Sequence, residues 1–81
     1  MSLEVVWSPA GEAALLRLPS WRLAARVARG VEDLARNGEG ELRRVGASRT
    51  EFALYVGSCC VRLSFDQASR RIDIWHVFEL R

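Results

Sequence analysis

The sequence contains no lysine, so all twelve of its basic residues are arginine. It has one histidine and two cysteines, and the cysteines are adjacent. Adjacent cysteines cannot crosslink distant parts of a fold, because in a strand their side chains leave on opposite faces. This excludes a disulfide scaffold. A zinc site is not expected either, since no second cysteine pair accompanies the single histidine. We expect neither a metal nor a cofactor.

Long apolar runs are also missing. No run approaches the roughly 20 residues that cross a membrane. The N-terminal stretch MSLEVVW has no basic segment followed by an apolar block, as a signal peptide would. We therefore expect a cytoplasmic protein without a membrane partner.

The size and composition predict a single domain over residues 1–81. The chain is 49% hydrophobic and has a formal net charge of +2. A chain this short has a small core and marginal stability. This is compatible with a homodimer, in which a second copy adds buried surface.

The apolar pattern of the first half predicts two helices after a short strand. The strand candidate covers residues 3–7, and the serine and proline that follow it favour the start of a helix over residues 9–18. A proline interrupts that pattern. A second amphipathic helix is predicted over residues 21–36, before an Asn-Gly stop signal. The hairpin has one apolar face, which needs a sheet to cover it.

The second half predicts that sheet. A weak strand candidate, residues 41–45, precedes three stronger ones that are joined by short turns and should form a meander. The stronger candidates cover residues 51–56, 59–66 and 71–78. The expected fold class is therefore α+β, with an N-terminal strand and an α-helical hairpin packed on a mainly antiparallel β-sheet.

Strict alternation divides the predicted strands between two faces. The face against the helices should carry Phe52, Leu54, Val56, Cys59, Val61, Leu63, Phe65, Ile72 and Ile74. The other, open face should carry Tyr55, Cys60, Arg62, Ser64, Asp73 and Trp75. Cys59 is thus expected to be a small core residue, and Cys60 to lie on the open face.

The chain resembles the RelE/ParE family of toxins from bacterial type II toxin–antitoxin pairs. The motifs that carry the resemblance are EVVWSPAGEAALLRLP, ELRRV, LYVGSCCVRLSFD and IDIWHVFELR, which together span essentially the whole sequence. The resemblance implies a cognate antitoxin as partner. It leaves three functions open: a ribosome-dependent mRNA endonuclease, a non-enzymatic ParE-like inhibitor of DNA gyrase, or a degenerate member that retains only antitoxin or protein binding.

The central hairpin departs from the family pattern. Family members commonly carry an arginine on each side of its glycine turn, where this chain has Tyr55 and Cys60, and Cys59 replaces an aromatic residue. Cys60 thus stands where ribonuclease members tend to present a phosphate-binding arginine, and a thiol cannot supply that charge. We interpret the cysteines as substitutions through drift or loss of activity rather than as a catalytic nucleophile.

The resemblance nevertheless supplies candidate catalytic residues: His76, Arg62 and Arg81. Cleavage by attack of the 2′-hydroxyl needs a base, an acid and positive charge on the transition state. His76 suits proton transfer because imidazole is both acid and base near neutral pH. The arginines suit phosphate. An ordinary role stays open for two of them: His76 as a strand histidine, and Arg62 as an arginine paired with Glu51 or Asp73.

Four further residues are candidates for nucleic-acid contact. Arg43 and Arg44 could follow the phosphate backbone, although adjacent strand residues point in opposite directions and only one is expected to contribute. Tyr55 and Trp75 could stack an RNA base, or form an apolar patch that a partner segment covers. Arginine favours phosphate recognition, but we interpret the absence of lysine first as biased codon usage in the source genome, which affects every surface position alike.

Overall fold

Five strands and two helices make up the part of the chain, residues 2–80, that the computed structural model describes. Their order is β1 (Glu4–Trp7), α1 (Pro9–Leu16), α2 (Trp21–Asn37), β2 (Glu41–Arg44), β3 (Glu51–Val56), β4 (Cys59–Asp66) and β5 (Arg71–Glu79). Every predicted element is present, with ends that differ by no more than two residues. The predicted α+β class is confirmed.

Local signals in the sequence set the ends of the helices. The hydroxyl of Ser8 accepts a hydrogen bond from the backbone N–H of Gly11 at 3.0 Å, and that of Ser20 accepts one from Leu23 at 3.1 Å. Such caps contribute about 1 kcal/mol each. Gly38 ends α2 with a φ of 71°, a left-handed conformation that glycine adopts without strain. Neither helix has the length and apolarity needed to span a membrane.

The strands form one sheet in the order β1-β5-β4-β3-β2. β2 to β5 are antiparallel neighbours, whereas β1 adds to β5 in parallel, with Val5 opposite Ile72. The two edges of the sheet are therefore β1 and β2. The prediction of a mainly antiparallel sheet is confirmed.

The core lies between the helices and one face of the sheet. Its sheet side includes Leu54, Cys59, Val61, Leu63, Ile72, Ile74 and Val77, and its helix side Ala14, Val27, Val31, Leu34 and Ala35. Full burial of each valine, leucine or isoleucine side chain in this core contributes about 1.5–3 kcal/mol. Cys59 is fully buried in this cluster, which confirms the prediction that it is a core residue.

A bulge in β5 changes which face its last residues occupy. Arg62 pairs with His76, and the next residue of β4 pairs with Ile74, so Trp75 has no partner across the ladder. Strict alternation from Ile74 would place His76 in the core and Val77 outside. Because the bulge inserts one residue, Val77 is instead buried and His76 is exposed on the open face.

Candidate nucleic-acid interface on the open sheet face

One cross-strand row on the open face carries three of the predicted site residues. Arg43 pairs with Ala53, Ala53 with Arg62, and Arg62 with His76, so four neighbouring strands contribute one residue each. Directly opposed residues have Cβ atoms about 4.5–5.5 Å apart. The methyl group of Ala53 is the smallest side chain in the row and separates the two arginines. The row thus brings two arginines and a histidine to neighbouring strands on one face of the sheet.

The next row along the strands is aromatic. Cys60 lies between Tyr55 on β3 and Phe78 on β5. The guanidinium carbon of Arg43 lies 5.9 Å from the ring centroid of Tyr55, within the range of a cation–π contact. Arg43 also lies 3.7 Å from Glu41, but both side chains are more than 60% exposed, and such ion pairs contribute about 0–1 kcal/mol. Arg43 therefore stays available for a ligand.

Aromatic contacts join the two rows at β5. The guanidinium carbon of Arg62 lies 5.3 Å from the ring centroid of Trp75. The rings of Trp75 and His76 are stacked, with centroids 6.3 Å apart and planes 22° apart. The centroids of His76 and Phe78 are 5.5 Å apart. We call these four residues, together with Arg43 and Tyr55 on the same face, the open-face cluster: Arg43, Tyr55, Arg62, Trp75, His76 and Phe78.

Arg62 has an unmet hydrogen-bonding requirement. Its Nε atom is buried and has no hydrogen-bond partner. Neither carboxylate that the sequence offered as a partner pairs with Arg62. Asp73 binds Arg71 at 3.1 Å, and Glu51 makes no ion pair within residues 2–80. Leaving a buried donor unpaired costs about 1–3 kcal/mol. Because Nε is buried, an acceptor from outside the chain, such as a phosphate oxygen, would remove that cost only if the side chains around Nε moved aside.

Cys60 is on the open face, as predicted, but it is not open to solvent. Only 2% of its surface is exposed, because the large side chains of Tyr55 and Phe78 flank a small one. Burial raises the pKa of the Cys60 thiol, and the nearby charge of Arg62 offsets the rise in part. The group is therefore a neutral, enclosed thiol at physiological pH. It can supply neither the charge of an arginine nor a reactive thiolate.

One predicted residue of the described part of the chain lies away from the cluster. Arg44 pairs with Phe52, in the row that continues to Leu63 and Ile74 of the core. It therefore belongs to the helix side of the sheet, on the opposite face from Arg43. Arg81 lies outside the described residues.

Three solved toxin–antitoxin complexes contain a chain with the same fold. A chain of the complex RelBE2 from Mycobacterium tuberculosis has a TM-score of 0.85 at 18% identity, over 98% of this chain and 92% of that chain. A chain of the archaeal RelE–RelB complex from Pyrococcus horikoshii has a TM-score of 0.78 at 15% identity, over 98% and 96%. A chain of the RelB–RelE complex from Methanococcus jannaschii has a TM-score of 0.72 at 12% identity, over 91% of this chain and 88% of that chain. The fold is RelE-like.

No protein-family model matches the sequence, and no curated protein matches it significantly. The resemblance seen in the sequence motifs is therefore confirmed at the level of the fold. With identities of 12–18%, the likeness carries no activity with it. The open-face cluster is the feature of the structure that bears on the activity.

On this RelE-like sheet, sequence reasoning missed the position of Phe78 and the orientation of His76. Both follow from the bulge at Trp75, for which the sequence gives one weak signal. In the segment IWHVF, unbroken alternation would place His76 in the core and expose Val77 on the open face. An apolar residue is better placed inside than a histidine, so a shift of phase near Trp75 could have been suspected.

Proposed function

We propose that this protein is the toxin of a type II toxin–antitoxin pair and that it cleaves mRNA on the ribosome. The RelE-like fold supports the first part, since chains with this fold occur in complexes of RelE with RelB. The observation that carries the second part is the buried, unpartnered Nε of Arg62 in the same row as His76. An anion site beside a proton-transfer group is what phosphodiester cleavage requires.

In the proposed mechanism, the scissile phosphate lies over Ala53 between the guanidinium groups of Arg43 and Arg62. These charges stabilise the transition state, in which negative charge builds up on the phosphate oxygens. A preorganised donor of this kind contributes about 2.7–4 kcal/mol, or at least 100-fold in rate. Arg81, predicted from the family resemblance to contact phosphate, would add to this charge.

His76 transfers a proton in this mechanism, at the attacking 2′-hydroxyl or at the leaving 5′ oxygen. The pH dependence of the cleavage rate distinguishes the two. A base must be neutral, so the rate would rise with pH to a plateau; an acid must be protonated, so the rate would fall. Tyr55 and Phe78 present the aromatic surface on which an unpaired base of the message can stack.

The partner in this proposal is a cognate antitoxin. The solved chains with the same fold come from toxin–antitoxin complexes named RelBE2, RelE–RelB and RelB–RelE. An antitoxin segment that covers the open-face cluster would block access to RNA. The cytoplasmic location and the homodimer expected from the sequence remain predictions.

One observation favours a second candidate, a degenerate member that only binds its antitoxin. Cys60 is enclosed and uncharged. Ribonucleases of the RelE/ParE family, which the chain resembles, tend to carry an arginine at this position. Inhibition of DNA gyrase, the other function implied by the resemblance, has no such observation in its favour.

The test is to add the purified protein to ribosomes stalled on a defined message and to map new RNA ends by primer extension. We expect cleavage in the decoding site, about 100-fold slower with Arg62→Ala and similarly reduced with His76→Ala. Arg29→Ala, an exposed arginine of α2 on the helix side of the sheet, is the matched control and should cleave normally. Absence of cleavage at high protein excess would refute the endonuclease, and supercoiling by gyrase would be measured next.

A further inference from the structure

Trp75 occupies an unusual position in the sheet. Every other residue of β5 has a partner on β4, whereas Trp75 is the extra residue of the bulge. A bulge locally twists a strand and re-aims a side chain, and bulges are frequent beside functional sites. Trp75 follows Ile74, which is fully buried, and precedes His76, which is exposed. The insertion therefore sets the alternation that places His76 on the open face and Val77 in the core.

The ring of Trp75 is already engaged by neighbouring side chains. Arg62 lies over it, with the guanidinium carbon 5.3 Å from the ring centroid, and His76 stacks beside it at 6.3 Å. The residue is 37% exposed, so its neighbours cover more than half of its surface. These contacts offer Trp75 a second role, besides the base stacking predicted from the sequence.

We propose that Trp75 is a positioning residue, whose ring in the bulge holds the Arg62 guanidinium in place and keeps water from its Nε. An arginine side chain loses up to about 2 kcal/mol of rotamer entropy when it is fixed. A cation–π contact offsets part of that loss before the ligand arrives. Arg62 then meets a phosphate already oriented and already desolvated. The inference rests on the proposed function, because an RNA phosphodiester is the ligand for which Arg62 is held.

The first test measures the position of Arg62 without any RNA. In ¹⁵N-labelled protein, the Nε–H signal of Arg62 is identified by its loss in Arg62→Lys, and its exchange with water is measured. We expect a protected signal in the wild type, because Nε is buried, and rapid exchange in Trp75→Ala. Trp75→Phe keeps a ring at this position and should retain most of the protection.

A matched control exists elsewhere in the chain. Arg22 lies 5.5 Å from the ring centroid of Trp21 at the start of α2, where Trp21 is 76% exposed. This pair has the same chemistry as Trp75 and Arg62, but it belongs to the helical hairpin and not to the open-face cluster. Trp21→Ala should therefore leave both the Arg62 signal and RNA cleavage unchanged.

The second test separates positioning from binding by kinetics. In single-turnover cleavage on stalled ribosomes, Trp75→Ala should lower the rate at saturating toxin by roughly 5- to 30-fold. The toxin concentration at half saturation should change by less than about 3-fold, because Trp75 itself does not touch RNA. Deletion of Trp75 removes the bulge while leaving His76 opposite Arg62, so it should reproduce the loss seen with Trp75→Ala.

The outcomes distinguish this inference from the proposed function. If Trp75→Ala exposes the Nε–H of Arg62 but even the wild type fails to cleave, Trp75 positions Arg62 and the endonuclease proposal is wrong. If the wild type cleaves and Trp75→Ala matches Trp21→Ala in both exchange and rate, the positioning role is overturned. A large rise in the half-saturating concentration with an unchanged maximal rate would also overturn it, since that is the signature of direct RNA stacking.

Discussion

Replacing Gly11 by alanine tests how α1 holds β5 immediately before the bulge. The backbone N–H of Ser8 donates a hydrogen bond to the carbonyl oxygen of Ile74 at 2.9 Å. A Cβ atom at Gly11 would collide with that same carbonyl oxygen and lie 2.9 Å from its carbon. Both are backbone atoms of a central strand, so neither can rotate away. α1 must therefore shift outward, and the contact that fixes Ile74 weakens.

The expected size of the effect follows from opposing contributions. In a helix without such a contact, glycine to alanine stabilises by about 1 kcal/mol. Against this, overpacking costs about 1–3 kcal/mol, and loss of the hydrogen bond from Ser8 to Ile74 costs about 1 kcal/mol more. The net prediction for Gly11→Ala is a destabilisation of about 1–3 kcal/mol. For a domain of this size, that corresponds to a fall in Tm of roughly 5–20 °C.

Urea and thermal unfolding measure this directly, with Gly30→Ala of α2 as the comparison. A Cβ atom at Gly30 would lie 2.7 Å from a side-chain methyl of Val56. A second mutation can remove that methyl group, whereas no mutation removes the backbone carbonyl that Gly11→Ala meets. The loss from Gly30→Ala should therefore be reduced when Val56→Ala is added. If Gly11→Ala instead raised the stability by about 1 kcal/mol, α1 would not be held against Ile74 as the structure has it.

Four further results are expected. Arg43→Ala should slow RNA cleavage roughly 3- to 10-fold, whereas Arg44→Ala, on the opposite face, should leave the rate within about 2-fold; equal losses would contradict the assignment of faces. Native Cys60 should react with iodoacetamide far more slowly than the unfolded chain, by mass spectrometry. Burial raises the pKa of both Cys59 and Cys60 above the ordinary value of 9.0. Their contribution to stability is therefore complete below pH 9 and declines as the pH rises further. Urea titrations should show this decline in the wild type and less of it in the double variant Cys59→Ala/Cys60→Ala. Hydrogen bonds from Ser69, first from its side chain, lower the pKa of Asp66 below 3.8, so stability should fall as the pH drops below about 4, and Asp66→Asn should reduce that acid sensitivity.

The fold could be predicted from the sequence because local and long-range signals agree. Ser8 and Ser20 cap the two helices where a serine precedes an apolar period, and Gly57 has the positive φ of 57° that its turn needs. The alternation of β3 and β4 identified the residues that face the core. Each of these signals depends on residues within a few positions of one another, which is why a single sequence contains them.

The candidate site was only partly predictable, because it depends on pairing between strands. Arg43, Arg62 and His76 share a row only when the registers of three strand pairs are known. The bulge at Trp75 shifts the register by one residue, and a one-residue shift moves each following side chain to the other face. The burial of Cys60 was unpredictable for the same reason, since Phe78 is its neighbour only in the shifted register.

The shifted register also explains how a thiol can stand where a cation is expected. Cys60 and Arg62 are two residues apart on one strand and share the open face, so an arginine at both positions would place two guanidinium groups on adjacent rows. With cysteine at the first, Tyr55 and Phe78 enclose a small neutral group, and the positive charge is concentrated one row away, in Arg43 and Arg62. The bulge brings His76 into that same row. Positive charge on the open face therefore does not depend on an arginine at residue 60. In the proposed function the anion binds one row away, beside Arg43 and Arg62, where the Nε atom of Arg62 is without a hydrogen-bond partner.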